Sequence, residues 1–197
     1  MNVPGMIQMR RPIAPLVVML LASMPASAAD HAAWDALLRA HVEETGLVNY
    51  QELQTRQPEL DAYLEGLAQA DPTSLSREEQ LAFWINAYNA CVVDVTLDHY
   101  PIKSVKSVPG FFRTVQRRVA GQWLTLDEIE AKSHALGDWR SHMAVVCASA
   151  GCPSLRNEAY APDRLAEQLA DQTRRFLADP SRGFRVEGTT LWVSNDL

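Results

Sequence analysis

The chain has 197 residues, 47% of them hydrophobic and 21% charged, with a formal net charge of −6. An acidic balance repels phosphate backbones, so no nucleic-acid partner is expected. Neither an internal repeat nor a low-complexity tract breaks the sequence, and its length suits a single domain with a core of its own.

In chain order, the first element is an export signal. Arg10 and Arg11 are the only charged residues before Asp30; the apolar run Ile13–Met24 follows, then Pro25 and Ala26-Ser27-Ala28-Ala29. A basic start, a short apolar centre and a small-residue end predict a cleavable signal peptide over 1–29. The 12-residue run is shorter than the roughly 20 apolar residues that span a bilayer. The expectation is therefore a periplasmic or secreted domain over 30–197 with no membrane span after cleavage. Losing Arg10 and Arg11 leaves 16 basic against 24 acidic residues, a formal −8.

His31–Val42 has Trp34, Leu37, Leu38 and His41 on one face and reads as a helix ended by Gly46. Residues 47–50 read as a short extended piece. Pro58–Gln69 is a second helix, with Pro near its start and Leu60, Tyr63, Leu64 and Leu67 at helical spacing. Ser76 and Glu79 have capping-box spacing and open a third helix that runs to His99. From Leu81 to Leu97 this helix has almost no polar face, so burial on most sides is expected. Asn86 and Asn89 lie inside it, three apart and on one face. A buried amide needs partners, which leaves two readings: a clamp on neighbouring backbone, or groups that orient a substrate or stabilise an oxyanion.

Thr114–Ala120 and Gln122–Leu126 read as a hairpin around Gly121. Thr125 and Glu128 form a second capping box, opening a helix that carries Ile129 and Glu130. Met143–Cys147 is a short apolar run bounded by turn residues and reads as a buried strand, followed by the small-residue loop Ala148–Ser154. Pro162–Ala178 is an amphipathic helix, and Phe184–Glu187 with Thr190–Val193 is a last hairpin around Gly188. The fold class is α+β: a buried apolar helix on a small, mostly antiparallel sheet, with flanking helices.

Chemistry concentrates at His142–Cys147 and the loop after it. A thiolate at a strand end beside free backbone N–H groups suits a nucleophile next to an oxyanion nest. Strand alternation puts His142 and Cys147 on opposite faces, so His134 and His41 remain alternative bases. Three readings stay open for Cys147 and Cys152: a disulfide, a metal site with His142 or His134, or one reactive cysteine. Cys91 reads as core.

Several blocks resemble one family. Phe83-Trp84-Ile85-Asn86-Ala87-Tyr88-Asn89-Ala90 is similar to the signature helix of the domain of unknown function 547. Tyr100–Val105, Leu126–Glu130, and His142 through Leu155 with Ala159-Tyr160 resemble its later blocks, in order, from about residue 45 to 193. The family is uncharacterised; it occurs in bacterial envelope proteins and, in plants, fused to leucine-zipper segments. The resemblance implies that Asn86, Asn89, Glu130, His142 and Cys147 fall on motif positions. It also favours Cys147 acting alone, since plant members often carry Ser where this chain has Cys152. It further implies a papain-like or transglutaminase-like thiol enzyme fold, and a chain that stops short of the family's usual C-terminal stretch.

Two functions are therefore expected to compete. One is a thiol-dependent hydrolase or acyltransferase acting on a peptide or small amide. Cys147 would be its nucleophile, His142 its base, Asn86 and Asn89 its orienting groups, and Glu130 a supporting partner. The other is a non-catalytic envelope module that binds a protein or small ligand and uses its cysteines structurally. Neither calls for a cofactor or a metal.

Overall fold

A computed structural model describes residues 30–149 and 151–193; the expected signal peptide lies outside them. Six α-helices are described: α1 (Ala32–His41), α2 (Tyr50–Leu53), α3 (Gln57–Gln69), α4 (Arg77–Asp98), α5 (Leu126–His134) and α6 (Leu165–Ala178). Four strands form two antiparallel hairpins: β1 (Gln116–Val119) with β2 (Gln122–Thr125), and β3 (Phe184–Glu187) with β4 (Thr190–Val193). The fold is α+β.

Helix α4 is the axis. Every residue from Leu81 to Leu97 is buried, which is the environment an all-round apolar helix requires. Its start is fixed by the expected capping box: Ser76 accepts from the Glu79 N–H, and the Glu79 carboxylate accepts from the Ser76 N–H at 2.8 Å. Around α4 pack α3, α5 and the segment 144–160. The antiparallel sheet component is in two pieces among the described residues, two detached hairpins, and the first of them reaches α4 through Arg117 of β1. No described helix is long and apolar enough to cross a membrane.

The first hairpin turns at Ala120 and Gly121, both with positive φ (50° and 74°), the conformation that suits a right-twisted two-residue hairpin. The turn is tied to α3 through Ala120 N–H to Leu67 O at 2.9 Å and Gly121 N–H to Ala68 O at 2.8 Å. Arg117 of β1 donates to the buried Asp94 of α4 at 2.5 Å and pairs with Asp98, while Gln57 donates to the other Asp94 oxygen at 3.1 Å. Burial pushes the Asp94 carboxyl up, and the Arg117 contact opposes that push.

Gly46 does not end α1, which stops at His41 with Val42 already extended. It lies instead in the turn between Val42 and Val48, which form an isolated bridge. At φ 84° a Cβ there would lie 2.5 Å from the Ser154 Cβ, so both the turn and its packing on the 154 segment require glycine.

The expected buried strand at Met143–Cys147 is absent. Trp139–Met143 forms a 3-10 turn, with Asp138 capping it through the Arg140 N–H at 3.1 Å, and residues 144–149 continue as irregular chain. The run is apolar because it is buried against α4, and a side chain takes the place of a neighbouring strand.

Candidate active site

That side chain is Asn89. Its Nδ2 donates to the Ala144 carbonyl at 3.0 Å, and its Oδ1 accepts from the Val146 N–H at 2.9 Å. A primary amide offers one donor edge and one acceptor, as a strand residue does, so it satisfies two backbone groups that face the same way. Asn86, three residues earlier, does the same for Tyr160: Nδ2 to its carbonyl at 2.8 Å and Oδ1 from its N–H at 2.9 Å. Both asparagines are buried, at 1% and 3% exposure. Of the two readings left open by the sequence, backbone clamping is the one this geometry supports. Neither amide lines the cleft where the other candidate residues meet.

That cleft, of about 390 Å³, is lined by Tyr88, Phe112, Asp127, Glu130, His142, Val145, Cys147, Cys152 and Pro153. Three of the expected site residues therefore line one cleft, Glu130 from α5 and His142 and Cys147 from the single stretch that follows Asp138. Helix α5 supplies the acidic wall. Its Thr125–Glu128 capping box fixes the first turn, and the Asp127 N–H donates to the Phe112 carbonyl at 3.0 Å, tying the aromatic wall to the helix. Asp127 and Glu130, three apart, share a face, and His134 follows one turn on. Asp127 and the Tyr88 ring are cleft residues that the sequence reading did not single out; the i, i+3 spacing of Asp127 and Glu130 was the available signal.

The 3-10 turn places the exposed His142 ring on His134, with ring centroids 3.6 Å apart and planes 29° apart. His134 Nε2 lies 3.9 Å from a Glu130 oxygen, beyond hydrogen-bond reach. Burial, with His142 alongside, pulls the His134 pKa down to about 4, so this ring is neutral near pH 7. Burial, together with Glu130 and Asp127, pushes the Tyr88 phenol well above its ordinary range and keeps it a donor. His41, the third candidate base, lies on the buried face of α1 and does not line the cleft.

Cys147 and Cys152 are joined in a disulfide, Cα–Cα 6.2 Å, within the normal span for such bridges. Both are partly exposed, unlike Cys91, which is fully buried and has its thiol pushed up to about 12 by burial and by Asp94. In this oxidised form Cys147 has no thiol, so nucleophilic chemistry belongs to the reduced form. Among the described residues no group of three or more His, Cys, Asp or Glu side chains is arranged to hold a metal ion.

The comparisons with known proteins bear on this site. A family model described as "Protein of unknown function, DUF547" matches residues 72–177, a little over half of the chain. The chain belongs to that family. The match to DUF547 runs from the turn before α4 almost to the end of α6 and takes in every residue that lines the cleft. Helices α1–α3 and the hairpin β3–β4 lie outside the matched span. No curated protein and no solved structure matches the chain.

Proposed function

We propose that this DUF547 protein is a thiol-dependent hydrolase or acyltransferase acting on a peptide or small amide in the cleft beside α5. The observation that carries the reading is that Glu130 of α5 and the stretch bearing His142 and Cys147 line one solvent-open cleft. In the reduced form, the Cys147 sulfur attacks the amide carbonyl carbon and forms a thioester. His142 takes the thiol proton and passes it to the departing amine. Water or a second amine then releases the acyl group and restores the thiol. Two carboxylates in the same cleft oppose thiolate formation, and this reading requires proton transfer to the His142 imidazole to outweigh them. The Tyr88 hydroxyl, held protonated, is a donor in the same cleft that can serve the developing oxyanion, while Asn89 acts as a positioning residue through the segment it holds.

The basic start, short apolar run and Ala-Ser-Ala-Ala end of residues 1–29 support a periplasmic or secreted setting for this chemistry. The test is alkylation of the reduced protein with iodoacetamide across pH, with Cys147 followed by peptide mass. The reading expects Cys147 to react well below the ordinary thiol range, with His142→Asn moving the profile back up. A Cys147 profile centred near about 8.5 removes the activated nucleophile.

A second reading rests on the disulfide itself. With Cys147 and Cys152 paired and both asparagines engaged with backbone, the domain serves as a non-catalytic module that binds an envelope protein or small ligand. That reading expects the ordinary thiol profile and an oxidised pair that persists in the purified protein.

A further inference from the structure

We propose that the Cys147–Cys152 pair is itself a reactive centre: a thiol–disulfide exchange site whose substrate is a low-molecular-weight thiol. The inference rests on the cleft described above being the working site. It does not require the acyl-transfer step.

Five observations carry it. The bridge closes a loop with only four residues between the cysteines, the size at which a cross-link constrains the unfolded chain least. The segment before Cys147 is already held by Asn89 at Ala144 and Val146, and the segment after Cys152 is fixed by Gln172 Nε2 to Ser154 O at 2.7 Å. The fold therefore has little need of the bridge as a staple. Both sulfurs also belong to partly exposed residues lining an open cleft, whereas a purely structural bridge is usually buried. His142 lines the same cleft and is exposed, so an imidazole able to relay a proton shares the cleft with the sulfur that must leave as thiolate. Finally, Ala148, directly after Cys147, has φ 53°, a left-handed conformation unfavourable for a residue with a Cβ. Strain of this kind persists where surrounding structure imposes it, and opening the bridge gives that residue a way to relax.

The chemistry balances as follows. A thiolate RS⁻ attacks one sulfur of the pair, forming an S–S bond to it and breaking the Cys147–Cys152 bond. The other sulfur leaves with the electron pair and is protonated, the His142 side chain relaying the proton from solvent. A second RS⁻ attacks the R sulfur of the mixed disulfide, releasing RSSR and the second protein thiolate, which is then protonated. Two thiols are oxidised to one disulfide, and the protein pair gains two electrons and two protons.

The test uses the full chain, purified without reductant and treated with glutathione at pH 7. Iodoacetamide trapping with intact mass counts free thiols, and circular dichroism follows the fold. The expected result is that Cys147 and Cys152 become alkylated while the spectrum is unchanged and Cys91 stays unmodified. Cys147→Ser or Cys152→Ser, exposed to glutathione disulfide, should take up one glutathione in the folded state. His142→Asn should slow reduction of the pair by about five- to tenfold. The proposal is overturned if reduction occurs only with denaturant, if neither single-cysteine variant takes up glutathione while folded, or if His142→Asn leaves the rate unchanged. The wild-type measurement stands even where a serine variant fails to fold. A reduced protein with an ordinary Cys147 alkylation profile would end the acyl-transfer reading and leave exchange intact. An inert disulfide would end exchange and leave acyl transfer to be tested in reductant.

Discussion

Asn86 and Asn89 are the same residue type, on the same helix face, making the same two-point clamp, yet they hold different parts of the molecule. Asn86 fixes both backbone groups of the fully buried Tyr160 and so anchors the approach to α6 in the second apolar cluster. Asn89 holds Ala144 and Val146, the segment that delivers Cys147 to the cleft, and one of its two bonds is only partly buried. The difference teaches that one chemical device can serve stability in one place and site geometry in another. What separates the two roles is the segment each amide grips.

The sharpest way to break the comparison is to remove each amide. Asn86→Ala leaves a buried N–H and C=O without partners and should cost about 2–4 kcal/mol, read as a lower urea midpoint with unchanged slope. Asn86→Asp should rescue little, because a carboxylate keeps the acceptor and loses the donor to the Tyr160 carbonyl. Asn89→Ala should cost less, about 1–3 kcal/mol, since one orphaned group can reach water. Its mark should be local: faster amide exchange at Val146 and faster reduction of Cys147–Cys152, neither of which Asn86→Ala should reproduce while the domain stays folded.

Opening the bridge tests whether the cleft side depends on covalent closure. Cys147→Ser should lower stability by no more than about 2 kcal/mol, the low end for a disulfide with so short a loop. A larger loss in the melting curve would mark the bridge as a staple and weaken the exchange proposal.

The smallest expected effect is the pH response of the stacked histidine pair. The folded-state pKa of His134 is depressed to about 4 from an ordinary 6.5. Between those values the unfolded chain binds the extra proton. The stability contribution is therefore complete above pH 6.5 and is lost as pH falls toward 4. The ring retains some solvent screening, so the loss should be about 1 kcal/mol, not the full value that the shift implies. His134→Asn should flatten the melting temperature over that window. His31, pulled to about 4 by burial despite Asp30, acts in the same direction and remains in the variant. The carboxyl of Glu158 acts lower still. Burial alone would raise it, but hydrogen bonds from Arg156, Gln168 and Arg164 hold it at about 2, so its contribution disappears only below about pH 4.5.

The two hairpins show where reading the sequence stops. Both were legible from short alternating runs around a glycine, and both form with four residues a side. Only the first is locked into the core, by Val119, Leu124 and the bonds to α3; in β3 every residue is exposed. Local propensity and turn chemistry decide that a hairpin forms, but packing decides what it supports. The failed strand at Met143–Cys147 has the same cause. An apolar run reports burial, and whether its backbone meets a strand or an asparagine depends on a helix more than 50 residues away in sequence.

By itself, the sequence determined the capped helices, the all-round apolar α4, the two glycine-turned hairpins and the membership of Glu130 in one motif block and of His142 and Cys147 in the next. These depend on local periodicity, caps and turns, which are written in neighbouring residues. Only the tertiary structure decided that Asn86 and Asn89 clamp backbone, that His142 stacks on His134, that Asp127 and Tyr88 join the cleft, and that Cys147 meets Cys152 there. Each of these depends on the distance between segments far apart in sequence or on how a short loop folds back, and that distance is set by how α4, α5 and the 144–160 segment pack.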